Sequence, residues 1–246
     1  MRNIKAVVSA SCLFVLLTSY SNAPAGNKAT PGLSVKLYTN SFSKSTITDK
    51  TAATLYSKLN LVEKGLSEQA FEYAYKGYKK LLEKGKISNT GYLTICDLSQ
   101  SSKQKRLYLV DIKNNELLMN TWVAHGRNSG LDKATKFSNT PESLQSSLGF
   151  YVTKETYTGA HGLSLRLEGL EPGFNNNAYS RAIVIHGAHY IGAHRLQSNF
   201  MGRSYGCPAV PQKESATLIN TIKNGTCLFI YSTEKNYLKG STILND

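Results

Sequence analysis

A cysteine and a histidine in the second half of this chain are the residues best suited, by type and spacing, to carry out covalent chemistry. Cys207 ends the run Ser204-Tyr205-Gly206-Cys207, and His186 ends an apolar run twenty-one residues earlier. A thiol becomes a nucleophile beside an imidazole base or in a field of positive charge. Three arginines lie near it in the sequence: Arg181, Arg195 and Arg203. We therefore predict that Cys207 is a nucleophile and that His186 is its general base.

The residues on either side of Cys207 favour a fixed direction for its sulfur. Gly206 permits a sharp turn, in which successive backbone N–H groups can face the point where an oxyanion would form. Pro208 restricts Cys207 to extended backbone angles. The sequence thus predicts a nucleophile turn with oxyanion-binding N–H groups beside it.

The group that orients His186 is expected to be a backbone carbonyl. No Asp or Glu occurs between Glu171 and Glu214, so the carboxylate of a catalytic triad would have to come from another part of the chain. A carbonyl at or near Gly187 would hold the imidazole without placing negative charge beside a thiolate. We therefore favour the carbonyl over a carboxylate.

A metal site is the alternative use of the histidines. His186, His189 and His194, with Cys207 beyond them, could on spacing alone supply zinc ligands. The same lack of acidic residues, glycines at positions 187 and 192, and the absence of the zinc-protease helix signature argue against it. We expect no metal and no other cofactor, with a structural role for His189 and His194.

The N-terminus has the composition of an export signal. Arg2 and Lys5 precede the apolar stretch Ala6–Leu17, and Ala23-Pro24-Ala25 forms a small-residue cleavage site. We predict a signal peptide over residues 1–25, and Cys12 lacks the setting of a lipid-attachment site. No later segment approaches the roughly 20 apolar residues of a membrane span, so no stable membrane insertion is expected.

Charge and cysteine content limit the partners and the redox chemistry. The formal net charge of +13 favours an anionic partner, and for an exported protein an acidic envelope polymer fits better than nucleic acid. Beyond the signal, Cys96, Cys207 and Cys227 form an odd set, which leaves at least one free thiol. Cys207 is the natural free one. Cys96 and Cys227 could pair, although two small buried thiols are favoured.

The remaining sequence predicts a mainly β, α+β protein. A flexible arm is expected over residues 26–48, and two amphipathic helices over 49–88, the second starting near Ser67 and ending at Gly85. A helix is expected over 212–223, within a β domain spanning 89–232, and residues 233–246 are assigned to a C-terminal tail. The predicted strands are Tyr92–Leu98, Arg106–Ile112, Glu116–His125, Leu148–Thr153, Leu163–Leu167, Ala182–His186 and Thr226–Tyr231.

Several separated motifs resemble those of a known enzyme family. His186-Gly187 followed by Ser204-x-Gly206-Cys207 is similar to the histidine-to-cysteine signature of the YkuD-like L,D-transpeptidases, which crosslink peptidoglycan. The resemblance to their murein L,D-transpeptidase catalytic-domain branch runs from about Leu81 to Tyr231. It includes Trp122-Val123-Ala124-His125-Gly126, Phe137-Ser138-Asn139, Ser146-Ser147-Leu148-Gly149-Phe150-Tyr151 and Gly202-Arg203-Ser204-x-Gly206-Cys207-Pro208-Ala209.

The resemblance implies a β-sandwich-like catalytic domain over residues 89–232 and roles for individual residues. Cys207 would be the acylated nucleophile, His186 its base and acid, and Gly187 the orienting carbonyl. Ser204 would support the site, and the N–H groups of Gly206 and Cys207, with that of Tyr205 as a third candidate, would form the oxyanion hole. Four side chains are expected to contact the substrate: Arg203, Arg195, His125 and His189.

Two departures from the family pattern leave alternatives open. Pro208-Ala209 stand where the commoner signature has an aliphatic residue and then Arg or Asn. Arg203, and after it Arg195, are the candidates to replace that polar residue. The interval between histidine and cysteine is also longer than usual, which leaves His189 as an alternative base.

The reaction implied by the resemblance is acyl transfer on peptidoglycan stem peptides outside the cytoplasm. Cys207 would displace the terminal D-Ala of a tetrapeptide stem, and an amine would resolve the thioester. Two alternatives remain: an L,D-carboxypeptidase that uses water as the acceptor, and a catalytically silent peptidoglycan-binding protein. The acceptor amine and the oligomeric state stay open at this point.

Overall fold

The structure, a computed structural model, describes residues 44–246, with side chains described from residue 51 onward. The predicted signal peptide and nearly all of the predicted flexible arm lie outside the described residues. Within residues 44–246, no helix is long and apolar enough to cross a membrane.

Two helices precede the sheet, as the sequence predicts. Helix α1 spans Lys44–Lys58, beginning a few residues before the predicted start, and helix α2 spans Glu68–Glu83. The Ser67 hydroxyl accepts a hydrogen bond from the N–H of Ala70 at 3.2 Å, which satisfies a donor at the start of α2. The apolar face of α2 is buried against the sheet through residues that include Phe71 and Leu81.

The structure describes ten strands in two sheets. An eight-stranded mixed sheet has the order β3-β2-β1-β10-β5-β6-β7-β9, and a separate pair joins β4 to β8. The strands are β1 (Tyr92–Asp97), β2 (Leu107–Asp111), β3 (Glu116–Thr121), β4 (His125–Gly126), β5 (Gly149–Gly159), β6 (Gly162–Gly169), β7 (Val184–Ala188), β8 (Arg203–Ser204), β9 (Ala209–Pro211) and β10 (Cys227–Tyr231). The prediction of a mainly β, α+β fold behind two helices is confirmed.

Three further α-helices and one 3-10 turn, Ala193–Arg195, complete the described part of the chain. Helix α3 spans Gln212–Ile222, as predicted, and packs against β7. The residues assigned to a C-terminal tail form α4 (Lys235–Gly240) and α5 (Thr242–Asn245), which bury Tyr237, Ile243 and Leu244.

A buried carboxylate holds these last residues to the sheet. Glu171 is 1% exposed and accepts hydrogen bonds from the N–H of Phe150 at 2.8 Å and the hydroxyl of Tyr237 at 3.0 Å, and a third from the Ser241 hydroxyl. Burial raises the pKa of this carboxyl group.

The two cysteines away from the predicted site are free thiols, which agrees with the favoured expectation. Cys96 and Cys227 lie on the neighbouring parallel strands β1 and β10, and both are fully buried. Burial raises the pKa of Cys96 to about 12, and the pKa of Cys227 is also raised.

Candidate active site

A cavity of about 440 Å³ contains both residues that the sequence assigns to covalent chemistry. Cys207 and His186 line it together with three further predicted site residues, Ser204, Tyr205 and Arg203. The remaining lining residues include side chains to which the sequence analysis assigned no role in catalysis: Tyr157, His161 and Tyr190.

Strand pairing brings the histidine and the cysteine to this cavity. Strand β7 carries His186, and it pairs in parallel with β9 so that His186 lies opposite Ala209. Cys207 precedes Ala209 by two residues, in the turn between β8 and β9. Two residues that are twenty-one positions apart in the sequence therefore line the same cavity.

His186 is held in one tautomer by its own backbone. Its ring is 3% exposed, and Nδ1 lies 2.9 Å from the carbonyl oxygen of Gly187. Because a carbonyl can only accept, the proton sits on Nδ1 and leaves Nε2 as the basic nitrogen. Burial lowers the pKa of His186 below its usual 6.5, against a smaller rise from the Gly187 hydrogen bond. The imidazole is thus neutral near pH 7, as a general base requires.

The position that supplies this carbonyl is closely packed. A Cβ atom on Gly187 would lie 2.6 Å from both Oε1 of Gln212 and Oγ of Ser215, at the start of α3. Contacts this short force backbone or side chains apart. Gly187 therefore has two roles. Its lack of a side chain permits the close approach of α3 to β7, and its carbonyl oxygen orients His186.

The thiol of Cys207 is protonated in this environment. Burial raises the pKa of Cys207 above its usual 9.0, although the N–H of Val184 and the positive charge of Arg181 lower it. Of the three arginines expected to activate the thiol, only Arg181 lowers its pKa, and burial raises that pKa by more. In keeping with an S–H group, Sγ lies 3.8 Å from the carbonyl oxygen of Ala182.

Ser204 closes the turn that carries Cys207. Its hydroxyl donates to the carbonyl oxygen of Cys207 at 2.6 Å and accepts from the N–H of Gly206 at 3.1 Å. Gly206 has φ +127°, a backbone angle that L side chains rarely adopt. Ser146 supports the same turn from behind, because its hydroxyl donates to the carbonyl oxygen of Gly206 at 3.3 Å.

The N–H of Gly206 is therefore not available in the way the sequence analysis expected. It points into the turn, at Ser204, and not into the cavity. Among the described residues, the N–H groups of Tyr205 and Cys207 donate to no side chain and to no loop carbonyl. These two N–H groups are the remaining candidates for an oxyanion site.

Arg203 and Arg195 have different positions relative to the cavity. Arg203 lines it, and its Nη1 donates to the carbonyl oxygens of Arg127 at 2.9 Å and Gly130 at 3.3 Å. Arg195 does not line the cavity, and its Nε donates to the carbonyl oxygen of Met201 at 3.2 Å. Arg203 alone of the two can contact a molecule in the cavity.

His125 does not reach the cavity, which corrects its expected contact with substrate. The ring is 0% exposed, with Nδ1 2.7 Å from Nη2 of Arg106 and Nε2 3.3 Å from the carbonyl oxygen of Gly130. Because a guanidinium only donates, Nδ1 is the acceptor and Nε2 carries the proton. Burial and then the charge of Arg106 lower the pKa of His125 to about 4.

The other two histidines of the metal hypothesis stand apart from His186. His189 and His194 are exposed and do not line the cavity. Within residues 44–246, no group of three or more His, Cys, Asp or Glu side chains could hold a metal ion. His189 is therefore placed neither to bind a substrate in this cavity nor to replace His186 as the base.

His161 is a site residue that sequence reasoning missed. It lies in the turn between β5 and β6, and its ring stacks on that of His186 with centroids 4.2 Å apart and planes at 20°. No local motif marks it, because its position depends on the pairing of β6 with β7. Arg181 was noted only for its charge, yet it is anchored by hydrogen bonds to the carbonyl oxygens of Ser138 and Gln145.

Comparison with known proteins gives one family. The sequence profile of the L,D-transpeptidase catalytic domain matches residues 62–231, more than half of the 246 residues of the chain. No curated protein sequence matches significantly.

Solved structures with similarity to this chain include three from two bacterial genera. An L,D-transpeptidase from Mycobacterium smegmatis has 11% identity and a TM-score of 0.37, covering 58% of this chain and 59% of that one. L,D-transpeptidase 3 from Mycobacterium tuberculosis has 10% identity and a TM-score of 0.35, covering 58% and 61%. Bd1075 from Bdellovibrio bacteriovorus has 14% identity and a TM-score of 0.36, covering 59% and 51%. The matched region spans less than two thirds of each of these proteins.

Proposed function

This chain belongs to the L,D-transpeptidase catalytic domain family, and from that premise we propose that it is a peptidoglycan L,D-transpeptidase whose acyl-enzyme forms on Cys207. The observation that carries the proposal is the cavity shared by Cys207 and a His186 whose Nδ1 is already bonded to Gly187. A base with its other nitrogen fixed by an orienting partner is the arrangement that nucleophilic catalysis requires.

The first half-reaction starts from a neutral thiol and a neutral imidazole. Sγ of Cys207 attacks the carbonyl carbon before the terminal D-Ala, while Nε2 of His186 takes the thiol proton. The N–H groups of Cys207 and Tyr205 donate to the oxyanion that develops. The imidazolium then returns its proton to the leaving amine nitrogen of D-Ala, and a thioester remains on Cys207.

The second half-reaction reverses these proton transfers. An amine of a second stem attacks the thioester carbonyl, His186 accepts a proton from the attacking nitrogen, and the same proton passes to the departing sulfur. The thiol of Cys207 and the imidazole of His186 are therefore both neutral before and after each turnover. This agrees with the lowered pKa of His186 and the raised pKa of Cys207.

Charge around the cavity suits an anionic stem peptide. Arg203 and Arg181 both line it, and Arg203 uses only Nη1 for its contacts with backbone carbonyls. Its second terminal nitrogen is available to a substrate carboxylate. A net charge of +13 would also draw the protein to an anionic wall polymer. We propose that the protein is exported and acts in the cell envelope.

Mass spectrometry of muropeptides tests the proposal and separates it from its two alternatives. Protein lacking residues 1–25 is incubated with tetrapeptide muropeptides, alone and with a D-amino acid. A transpeptidase gives crosslinked or exchanged products, whereas an L,D-carboxypeptidase gives only tripeptides. A silent wall-binding protein gives neither product, and its binding is unchanged in Cys207→Ala. The matched control is Cys227→Ala, which removes a buried thiol outside the cavity.

A further inference from the structure

Two imidazole rings lie face to face at the mouth of the catalytic cavity. His161 is exposed, His186 is 3% exposed, and their ring centroids are 4.2 Å apart at an interplanar angle of 20°. His161 therefore covers one face of the buried ring. It belongs to neither the nucleophile turn nor strand β7, so this contact is additional to the machinery described above.

The sheet register explains how the two rings meet. Ser164 on β6 lies opposite His186 on β7, and Gly162 pairs with Gly159 across the β5–β6 turn. The turn between these glycines holds only Ala160 and His161. Because His161 is three residues from the partner of His186, the hairpin end places its ring over the neighbouring strand.

The stack supplies a restraint that the Gly187 hydrogen bond does not. One hydrogen bond from Nδ1 fixes the tautomer of His186 and one direction in the ring plane. It leaves the ring able to tilt about that bond, and tilting would move Nε2 away from the sulfur. A flat group packed on one face opposes the tilt.

Charge gives the same contact a second effect. Burial is the main cause of the lowered pKa of His186, and the stacked His161 lowers that pKa further. The remaining titratable or charged groups at the cavity are Tyr157, Arg181, Tyr190, Arg203, Tyr205 and Cys207. The neighbours of His186 and Gly187 on β6, β9 and α3 are uncharged: Ser164, Ala209, Gln212 and Ser215.

We propose that His161 is a positioning residue for the base: its stacked ring fixes the plane of His186. This inference rests on the proposed function. It adds to that function a dependence of acylation on the end of the β5–β6 hairpin. His161 touches the base and is not assigned a proton transfer of its own.

Three variants test the stacked ring. His161→Phe keeps a flat ring and removes the imidazole nitrogens, His161→Ala removes the whole ring, and His189→Ala removes an exposed histidine outside the cavity. We expect His161→Ala to lower kcat/KM for D-Ala release by about tenfold or more, since small misplacements of a catalytic group are costly. His161→Phe should stay within about threefold of wild type, a loss well short of a misplaced base. His189→Ala should match wild type.

The pH profile distinguishes positioning from a merely structural role. In wild type, protonation of His186 opposes acylation, so the acid limb of log kcat/KM against pH follows the pKa of His186. In His161→Phe the limb should move to higher pH, because His161 contributes to the lowered pKa of His186. An unchanged profile in His161→Phe, or wild-type kcat/KM in His161→Ala, would overturn the proposal.

A measurement without turnover keeps this test separate from the proposed function. The pKa of the His186 ring is followed by NMR in Cys207→Ala protein, with and without His161→Phe. A rise on removal of His161 supports the stacked pair even if no peptidoglycan product forms. No rise rejects the pair even if the enzyme is active. Melting temperatures of all variants confirm that each one is folded.

Discussion

His125 and Arg203 share one acceptor: the carbonyl oxygen of Gly130 lies 3.3 Å from Nε2 of His125 and 3.3 Å from Nη1 of Arg203. The two residues also lie opposite each other in the β4–β8 pair. A fully buried histidine, fixed by the buried Arg106, thus holds the loop on which a cavity arginine rests. His125 affects the site through Arg203, without touching it.

Stability should fall in acid because of His125. Its pKa is about 4 in the folded protein and near 6.5 when unfolded, so the unfolded state takes up a proton first as pH falls. The contribution is complete above pH 6.5 and is lost between 6.5 and about 4. This difference corresponds to roughly 3 kcal/mol. Urea unfolding of wild type and His125→Gln at pH 7 and pH 4 measures this contribution to the free energy of unfolding. An equal loss of stability between pH 7 and pH 4 in the two proteins would contradict the prediction.

Alkylation of Cys207 should slow in acid. A neutral thiol beside a neutral imidazole loses its base when His186 is protonated, and the pKa of His186 is lowered but still sets that limit. The rate of iodoacetamide modification should be flat near neutral pH and fall steeply below the pKa of His186. A preformed thiolate–imidazolium pair would react at pH 5 as fast as at pH 8, and that result would exclude the neutral pair.

His186→Gln should suppress acylation, whereas His189→Gln should not. The variant lacks the base that receives the thiol proton, so we expect a loss of about a hundredfold or more in D-Ala release. His189 is exposed and outside the cavity, which makes it the matched control. If the two variants exchanged these phenotypes, the base would be assigned to the wrong histidine.

A carbapenem should acylate Cys207 once per chain. Its strained carbonyl offers the electrophile that the thiol and the oxyanion N–H groups accept, and the resulting thioester is resolved slowly. Intact-mass spectra should show one adduct, mapped to the peptide containing Cys207 and missing in Cys207→Ala. An adduct on another peptide would remove Cys207 from its assigned role.

The C-terminal helices should contribute to global stability through Glu171. Tyr237→Phe removes one donor to the buried carboxylate and should cost about 1 kcal/mol, whereas Glu171→Leu leaves several buried donors without an acceptor and should cost about 3 kcal/mol or more. Urea unfolding gives both values. Lys239→Ala, on the surface of α4, serves as the control and should leave stability within about 0.5 kcal/mol of wild type.

Features that depend on residues close together in the sequence could be predicted from it. Helix α2 follows from its apolar period and the Ser67 cap, and the Cys207 turn follows from Gly206 and Pro208. The stack of His161 on His186 depends on strand register, which no window of sequence contains. His125 looked like a polar site residue because its partner, Arg106, is nineteen positions away in the chain. Helices α4 and α5 are too short to show a helical period.

Because Cys96 and Cys227 are fully buried, the three described cysteines differ in their accessibility to a thiol reagent. Of these three, only Cys207 is open to modification in the folded protein, so one equivalent of a chromogenic disulfide counts the proposed nucleophile. The other two thiols become accessible only when β1 and β10 separate, so the rate at which they react measures the rate of unfolding. A single reagent can therefore follow the proposed active site and unfolding in the same sample, with no engineered label.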